Sequence, residues 1–189
     1  MEIRRAYDGD AMAIATVHVR SWQAAYPGLI PQDYLDGLRP EARLPMWKQV
    51  LAESRWPRSG VLLLAADAPT GGCEPGPGQV KGFSHICPTR DDDRDPESTG
   101  EITSIYLAPE VQGSGNGVAL LAASVDQMVA AGYETATLWA LDTNTRARRF
   151  YEIAGWKPDG TTKLHDWGTF VCTDVRYALD LTAARRPLK

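Results

Sequence analysis

The sequence predicts an α+β fold, a mixed and mostly antiparallel central sheet flanked by helices, in a single domain over residues 1–189 with its core at about 2–181. Three observations carry this. A strand pattern at the amino terminus passes into helical spacing. Two strand-like runs flank a Gly/Pro-rich stretch, as in a hairpin. From residue 101 the chain reads strand, turn, helix, strand and helix, then closes on further strand character. A chain of 189 residues with 43% hydrophobic content suffices for one sizeable core and is short for two.

Residues 2–7 read as the first strand, followed by Asp8 and Asp10, either of which can cap a helix. Ile14, Val17, His18, Ser21, Trp22 and Ala25 then recur at helical spacing until Pro27-Gly28 stops them. A further helical pair begins near Pro31 and near Pro40, the latter carrying Leu44, Trp47, Val50 and Leu51. Val61–Ala66 is an apolar run suited to a buried strand. Six of the eight residues 71–78 are Gly or Pro, and 79–86 reads as the hairpin's return strand. Residues 91–97 form an acidic loop, read as a solvated turn or as an attractor of a cationic substrate. Residues 101–107 are a strand ended by Ala108-Pro109, and a helix follows over about 117–131, with Val118, Leu121, Val125 and Met128 on its buried face and Gly132 as its left-handed cap. Residues 135–141 are again a strand, and Asn144 caps a helix whose Ala147, Phe150, Tyr151 and Ala154 share a face before Gly155. Two apolar stretches around Phe170 and Tyr177 complete the strands, and residues 183–189 read as a frayed terminus.

Composition excludes several classes of function. With 20 Lys and Arg against 24 Asp and Glu, the net charge of -4 argues against a nucleic-acid partner. No apolar run reaches the length of a membrane helix, and the amino terminus lacks a signal-peptide core. Cys73, Cys87 and Cys172 are far apart with no C-x-x-C pair, which implies neither a disulfide framework nor a zinc site, and points to a cytoplasmic location. His18 and His165 lack metal-ligand spacing, so no metal is expected.

The informative stretch is Glu101 to Val118, a strand joined to a helix through a turn with glycines at 113, 115 and 117. Such a turn lets backbone approach a ligand closely, and the helix start offers free N–H groups and a favourable dipole to a phosphate. A P-loop reading fails because Gly117-Val118-Ala119 supplies neither the lysine nor the hydroxyl. A dinucleotide fingerprint needs a glycine where Val118 stands, although Glu134 lies near the distance of a ribose-binding acid; a nucleotide-dependent oxidoreductase is thus an alternative.

Gln112-x-x-Gly115-x-Gly117 resembles the pyrophosphate signature of the GCN5-related N-acetyltransferases. The run Asn144-x-Arg146-Ala147-x-Arg149-Phe150-Tyr151-Glu152-x-x-Gly155-Trp156 resembles the same family's second signature, in the right order along the chain. The resemblance implies acetyl-CoA as co-substrate, held between a splayed pair of central strands. It implies that Ile105, Tyr106 and Leu107 bond the pantetheine arm through their backbone. Amides of Gln112, Gly113, Ser114, Gly115, Asn116, Gly117 and Val118 would cradle the pyrophosphate, with Asn144 near the pantetheine. One departure is the lack of an arginine or lysine within the turn.

Acetyl transfer to an amine needs a deprotonated amine, a stabilised oxyanion and a proton for the departing thiolate. By the resemblance Tyr151 is the general acid. Glu101, eleven residues before Gln112, stands where histone-modifying members carry a catalytic glutamate, and is the candidate base or anchor of a water relay. His85 is a lesser candidate. Trp22 and Tyr26 are core residues that also suit the wall of an acceptor pocket. The expected partner is a small-molecule or peptide amine, and the expected assembly at this size a homodimer. A non-catalytic acetyl-CoA-binding module or sensor is the alternative function.

Overall fold

The computed structural model describes residues 1–66 and 80–182. The strands are β1 (Glu2–Arg5), β2 (Gly60–Ala65), β3 (Val80–Pro88), β4 (Thr99–Leu107), β5 (Thr135–Leu141), β6 (Lys157–Asp166) and β7 (Val171–Asp180). The helices are α1 (Ala11–Ala25), α2 (Gln32–Gly37), α3 (Pro40–Ala52), α4 (Asn116–Ala130) and α5 (Thr145–Ile153). All seven strands form one sheet in the order β1-β2-β3-β4-β5-β7-β6, antiparallel except for the central pair β4 and β5.

Helices cover both faces. Ile14, Val17, Trp47 and Leu51 of α1 and α3 bury Val61, Leu63 and Phe83 of β2 and β3. On the opposite face Leu121, Met128 and Tyr151 of α4 and α5 pack on Ile86, Ile102, Leu138 and Tyr177. β2 lies between both layers, and every one of its residues is buried, which is why Gly60–Ala65 reads as continuous apolar sequence rather than as an alternation. A third, aromatic cluster gathers Trp22, Tyr26, Tyr34, Trp167 and Phe170 beside Leu141 and Tyr106.

Several local expectations shift. The buried stripe of α4 is Leu120, Leu121, Ser124 and Met128, while Val118 is 59% exposed. Ser124 centres that stripe because its hydroxyl is bonded to the Ser84 hydroxyl and the Leu120 carbonyl, each at 2.8 Å; a pattern that counts serine as polar places the stripe elsewhere. Ala154 is likewise exposed, at the end of α5. Asp10 precedes α1 without capping it, since its carboxylate takes both guanidinium nitrogens of Arg4 at 2.8 Å and the Tyr7 amide at 3.0 Å. β6 is a whole strand that the apolar pattern did not reveal, and Phe170 lies in the turn before β7 rather than in a strand. The 71–78 turn, Cys73 and the 183–189 terminus lie outside the described residues. Asn144 does cap α5, accepting the Ala147 amide at 3.0 Å, and Gly132 follows α4 with φ 91°.

Candidate active site

The parallel ladder between β4 and β5 runs only from Thr99 opposite Thr135 to Ile102 opposite Leu138. Both strands continue, β4 to Leu107 and β5 to Leu141, without pairing to each other. The cause lies in β4, where Ile102 pairs with Ile86 and Ser104 with His85, leaving Thr103 as an inserted residue. An inserted residue bends a strand and increases its twist. The His85 ring nitrogen Nδ1 holds the Thr103 hydroxyl at 2.6 Å. Ile105, Tyr106 and Leu107 therefore pair with β3 on one side and present an edge with no strand to the other.

At the head of this opening lies the glycine turn. Gly113 and Gly115 have φ of 77° and 82°, which side-chain-bearing residues rarely adopt, and a Cβ at either would meet nothing within 4 Å. Space for a ligand is thus present beside the turn. The amides of residues 113–118 donate to no acceptor among the described residues, whereas the Gln112 amide is already held by the Pro109 carbonyl at 3.3 Å and leaves the expected cradle one donor shorter. Ser114 and Asn116 turn their side chains inward to the Val111 carbonyl at 2.9 and 3.1 Å, fixing the loop. Gln112 donates to the Leu107 carbonyl at 3.1 Å, and its own carbonyl accepts from Arg146 of α5 at 3.2 Å. The cation missing from the turn arrives from the next helix.

Tyr151 approaches the opening from α5, packed against Phe150, Trp156 and Tyr177. It is 8% exposed, and its hydroxyl makes no hydrogen bond among the described residues. Burial, and to a lesser degree the Tyr106 phenol, pushes its pKa well up. From the opposite face Tyr106 presents its hydroxyl to that of Tyr26 at 3.5 Å and stacks on His18 at 5.2 Å. Burial raises the pKa of Tyr26 most, followed by Tyr106, with Tyr151 and Asp174 contributing; the phenols therefore feel each other across the opening. Trp22 lies in the wall beside Tyr26, ring centroids 5.0 Å apart. The two histidines nearby are neutral at pH 7, His18 pulled down to about 3 by burial and then Arg43, His85 to about 4 by burial and then Arg90.

Glu101 is 1% exposed and fully engaged. Arg90 donates from Nη2 at 2.6 Å to one carboxylate oxygen, and from Nε and the backbone amide, both at 3.1 Å, to the other. The acidic loop behaves similarly. Asp91 and Asp93 both accept from Arg176, which is 2% exposed and also donates to Asp159 at 2.7 Å. Asp91 and Asp159 thus form the counter-charge of a buried guanidinium, while Asp92, Asp93, Asp95 and Glu97 stay exposed.

A family-wide comparison matches residues 22–156 to the Acetyltransferase (GNAT) family. The chain belongs to that family. An uncharacterised N-acetyltransferase of Bacillus subtilis is 30% identical over 142 residues, covering 75% of this chain and 72% of its own. Another from Archaeoglobus fulgidus is 28% identical, covering 80% of this chain and 89% of its own. Among solved structures, the PaiA N-acetyltransferase of Thermoplasma acidophilum in complex with coenzyme A superposes with a TM-score of 0.72 at 20% identity, over 95% of this chain and 98% of its own. A Salmonella typhimurium protein with its cofactor acetyl-CoA superposes at 0.65 and 20% identity, over 100% and 98%. The GNAT chain is accordingly an acyltransferase.

Several residues of this GNAT site escaped the sequence reading. Arg146 stood within the second signature without a role, because nothing in its spacing shows that α5 folds back onto the turn. Arg90 and Arg176 are loop and strand cations whose carboxylate partners lie 11 residues away for Arg90 and 17, 83 and 85 for Arg176. Alternation along β7 puts Cys172, Asp174 and Arg176 on one face, a signal present in the sequence but read there only as apolar strand character.

Proposed function

We propose that this acetyltransferase moves an acetyl group from acetyl-CoA to the amine of a small molecule or peptide by direct transfer within one complex. The observation that carries this reading is the run of free amides at 113–118, set at the start of α4 beside the unpaired edge of β4. Six oriented N–H groups and a helix dipole suit a diphosphate, and a free strand edge suits the amide-rich pantetheine arm, as an added strand would.

When bound, acetyl-CoA supplies a thioester whose carbonyl carbon is the electrophile. The residues of the chain then divide the work. Amides 113–118 would hold the diphosphate, with Arg146 adding charge from α5. Backbone groups of Ile105 and Tyr106 and the Leu107 amide would align the pantetheine, the Leu107 carbonyl being taken by the Ser21 hydroxyl at 2.8 Å and by Gln112 at 3.1 Å, and a backbone N–H on that edge would face the carbonyl oxygen. Asn144 spends its side-chain oxygen on capping α5, which leaves its amide nitrogen free to donate towards the same arm. Tyr151, with an uncommitted hydroxyl, would donate a hydrogen bond to the departing sulfur. Its raised pKa keeps the phenol protonated at working pH. A thiol has a pKa of about 8.5, so full proton transfer from this phenol is uphill, and stabilising the sulfur by a hydrogen bond is the larger part of its role. Glu101 acts as the anchor of Arg90 rather than as the proton acceptor, because both of its oxygens are occupied. Trp22 and Tyr26 would wall the acceptor side. Free thiols at Cys87 and Cys172 accord with a reducing cytoplasm.

The test is a screen of amines read by release of free thiol from acetyl-CoA, beside thermal shifts with coenzyme A and with NAD. Thiol release that depends on an amine, together with stabilisation by coenzyme A alone, is the expected result. Stabilisation by NAD, or a melting temperature indifferent to coenzyme A, would remove the reading.

A further inference from the structure

With Glu101 closed off by Arg90, the proton that an amine must shed needs another acceptor, and the sheet face that carries Tyr106 offers one. Asp174 lies on β7, opposite Leu141 of β5 and Lys163 of β6. Its side chain is 14% exposed, and one oxygen, Oδ2, meets the Nδ1 of His165 at 3.2 Å. Its other oxygen receives no hydrogen bond among the described residues. This sets it apart from Glu101, Asp91, Asp93 and Asp159, each held by an arginine. That oxygen is not among the buried atoms without a partner, so it is open to a cation or donor arriving from solvent.

The surroundings admit a ligand. A half-open groove of about 280 Å³, lined by Leu141, Asp142, Leu164, Val171, Cys172 and Thr173, ends next to Asp174, which is not itself part of its wall. Towards the opening between β4 and β5 stand Tyr26 and Tyr106, both of which sense the Asp174 charge. Away from it, His165 stacks on Trp167 at 4.4 Å and is 44% exposed, giving the dyad an outlet to water.

We propose that Asp174 receives the acceptor's ammonium on its open oxygen and passes one proton through His165 to solvent. This rests on the transferase reading above and names its base. The ammonium gives one proton to the open oxygen of the carboxylate and becomes a neutral amine; the carboxyl group then turns that O–H to Nδ1 of His165, which accepts it in the tautomer that carries its own proton on Nε2, and the imidazolium loses the Nε2 proton to water. The amine lone pair then forms the C–N bond while the C–S bond breaks, and the second amine proton ends on the sulfur. Net, one ammonium and one thioester give one amide, one thiol and one released proton.

The test compares Asp174→Asn and His165→Gln with the wild type, using n-butylamine and phenethylamine as probe acceptors between pH 7 and 9.5. Charged or titratable groups around the dyad are Lys163 of β6, Cys172 and Arg176 of β7, Tyr26 after α1 and Tyr106 of β4. Burial lowers the Lys163 pKa from 10.5 towards that window, so Lys163→Met is the control. Asp174→Asn is expected to lose at least ten-fold in kcat/KM at pH 7, and His165→Gln a smaller factor. Both deficits narrow as pH approaches 9.5, where more amine is already neutral, and the thermal shift with coenzyme A is unchanged. If amines are acetylated yet Asp174→Asn matches the wild type, or loses the same factor at every pH, the transferase reading stands and the role of Asp174 falls. If no amine is acetylated, or coenzyme A fails to stabilise the protein, the transferase reading fails and this inference with it.

Discussion

The guanidinium of Arg146 donates to the side-chain carbonyl of Gln112 at 3.2 Å, joining the first turn of α5 to the glycine turn ahead of α4. Arg146 is exposed, so it can leave Gln112 for a phosphate at little cost. Arg146→Ala is expected to raise KM for acetyl-CoA about three- to ten-fold with kcat nearly unchanged, and to weaken the salt dependence of that KM. Steady-state kinetics at two ionic strengths checks this; an unmoved KM would leave Arg146 as a strut for Gln112 alone.

Tyr151→Phe removes a hydroxyl that has no hydrogen-bonding role in the fold, so stability should change little while turnover falls about ten-fold or more. Coenzyme A binding by calorimetry is expected to stay within two-fold of wild type, roughly the noise of one weak contact. A turnover equal to wild type would leave Tyr151 as packing.

Glu101→Gln keeps the side-chain shape but turns an amide towards Arg90. Losing a charge-assisted pair at a buried carboxylate is expected to lower stability by about 1–3 kcal/mol, measured by urea unfolding. The acid limb of the pH–rate profile should survive, and its disappearance would return Glu101 to the role of base.

Gly115→Ala asks an alanine to adopt φ 82° at the residue preceding α4. The expected cost is about 1–2 kcal/mol of backbone strain, since nothing lies near enough to clash. If strain rotates the turn, the free amides lose their common aim, and coenzyme A affinity falls more than the melting temperature alone implies.

His18 and His85 are buried neutral, with pKa values pulled from 6.5 to about 3 and about 4. The unfolded chain takes up these protons first, so stability should fall as pH drops from about 6.5 towards 4, with a limiting slope of about 1.4 kcal/mol per pH unit for each histidine. Urea midpoints across that range check it. His18→Phe, which also loses the bond from the Trp47 indole at 3.3 Å, should flatten the decline even if it lowers the plateau.

Elements whose apolar residues face one layer were legible in the sequence: β5 was bounded correctly at Thr135–Leu141, and Asn144 and Gly132 punctuate their helices as their chemistry dictates. β6 was not, because Lys157–Asp166 is an edge strand with largely exposed residues and no apolar alternation to read. Side chains satisfied by distant partners were equally hidden. Glu101 looks the same in sequence whether it faces water or Arg90, and Ser124 looks polar although Ser84 makes it a core residue. The glycine turn was legible because its requirement is local, a backbone conformation written in the residue type itself. Pairings such as Arg146 with Gln112 depend on where α5 folds back, which no window of neighbouring residues contains.

Thr103 has no counterpart in the β3 ladder. A chain lacking it would keep Ser104 opposite His85 and Tyr106 opposite Phe83, now in unbroken register, and β4 would lose the bend and extra twist that an inserted residue brings. The strand would then run on beside β5 and close the gap between them. The passage through the sheet thus hangs on a count of residues as much as on their identity.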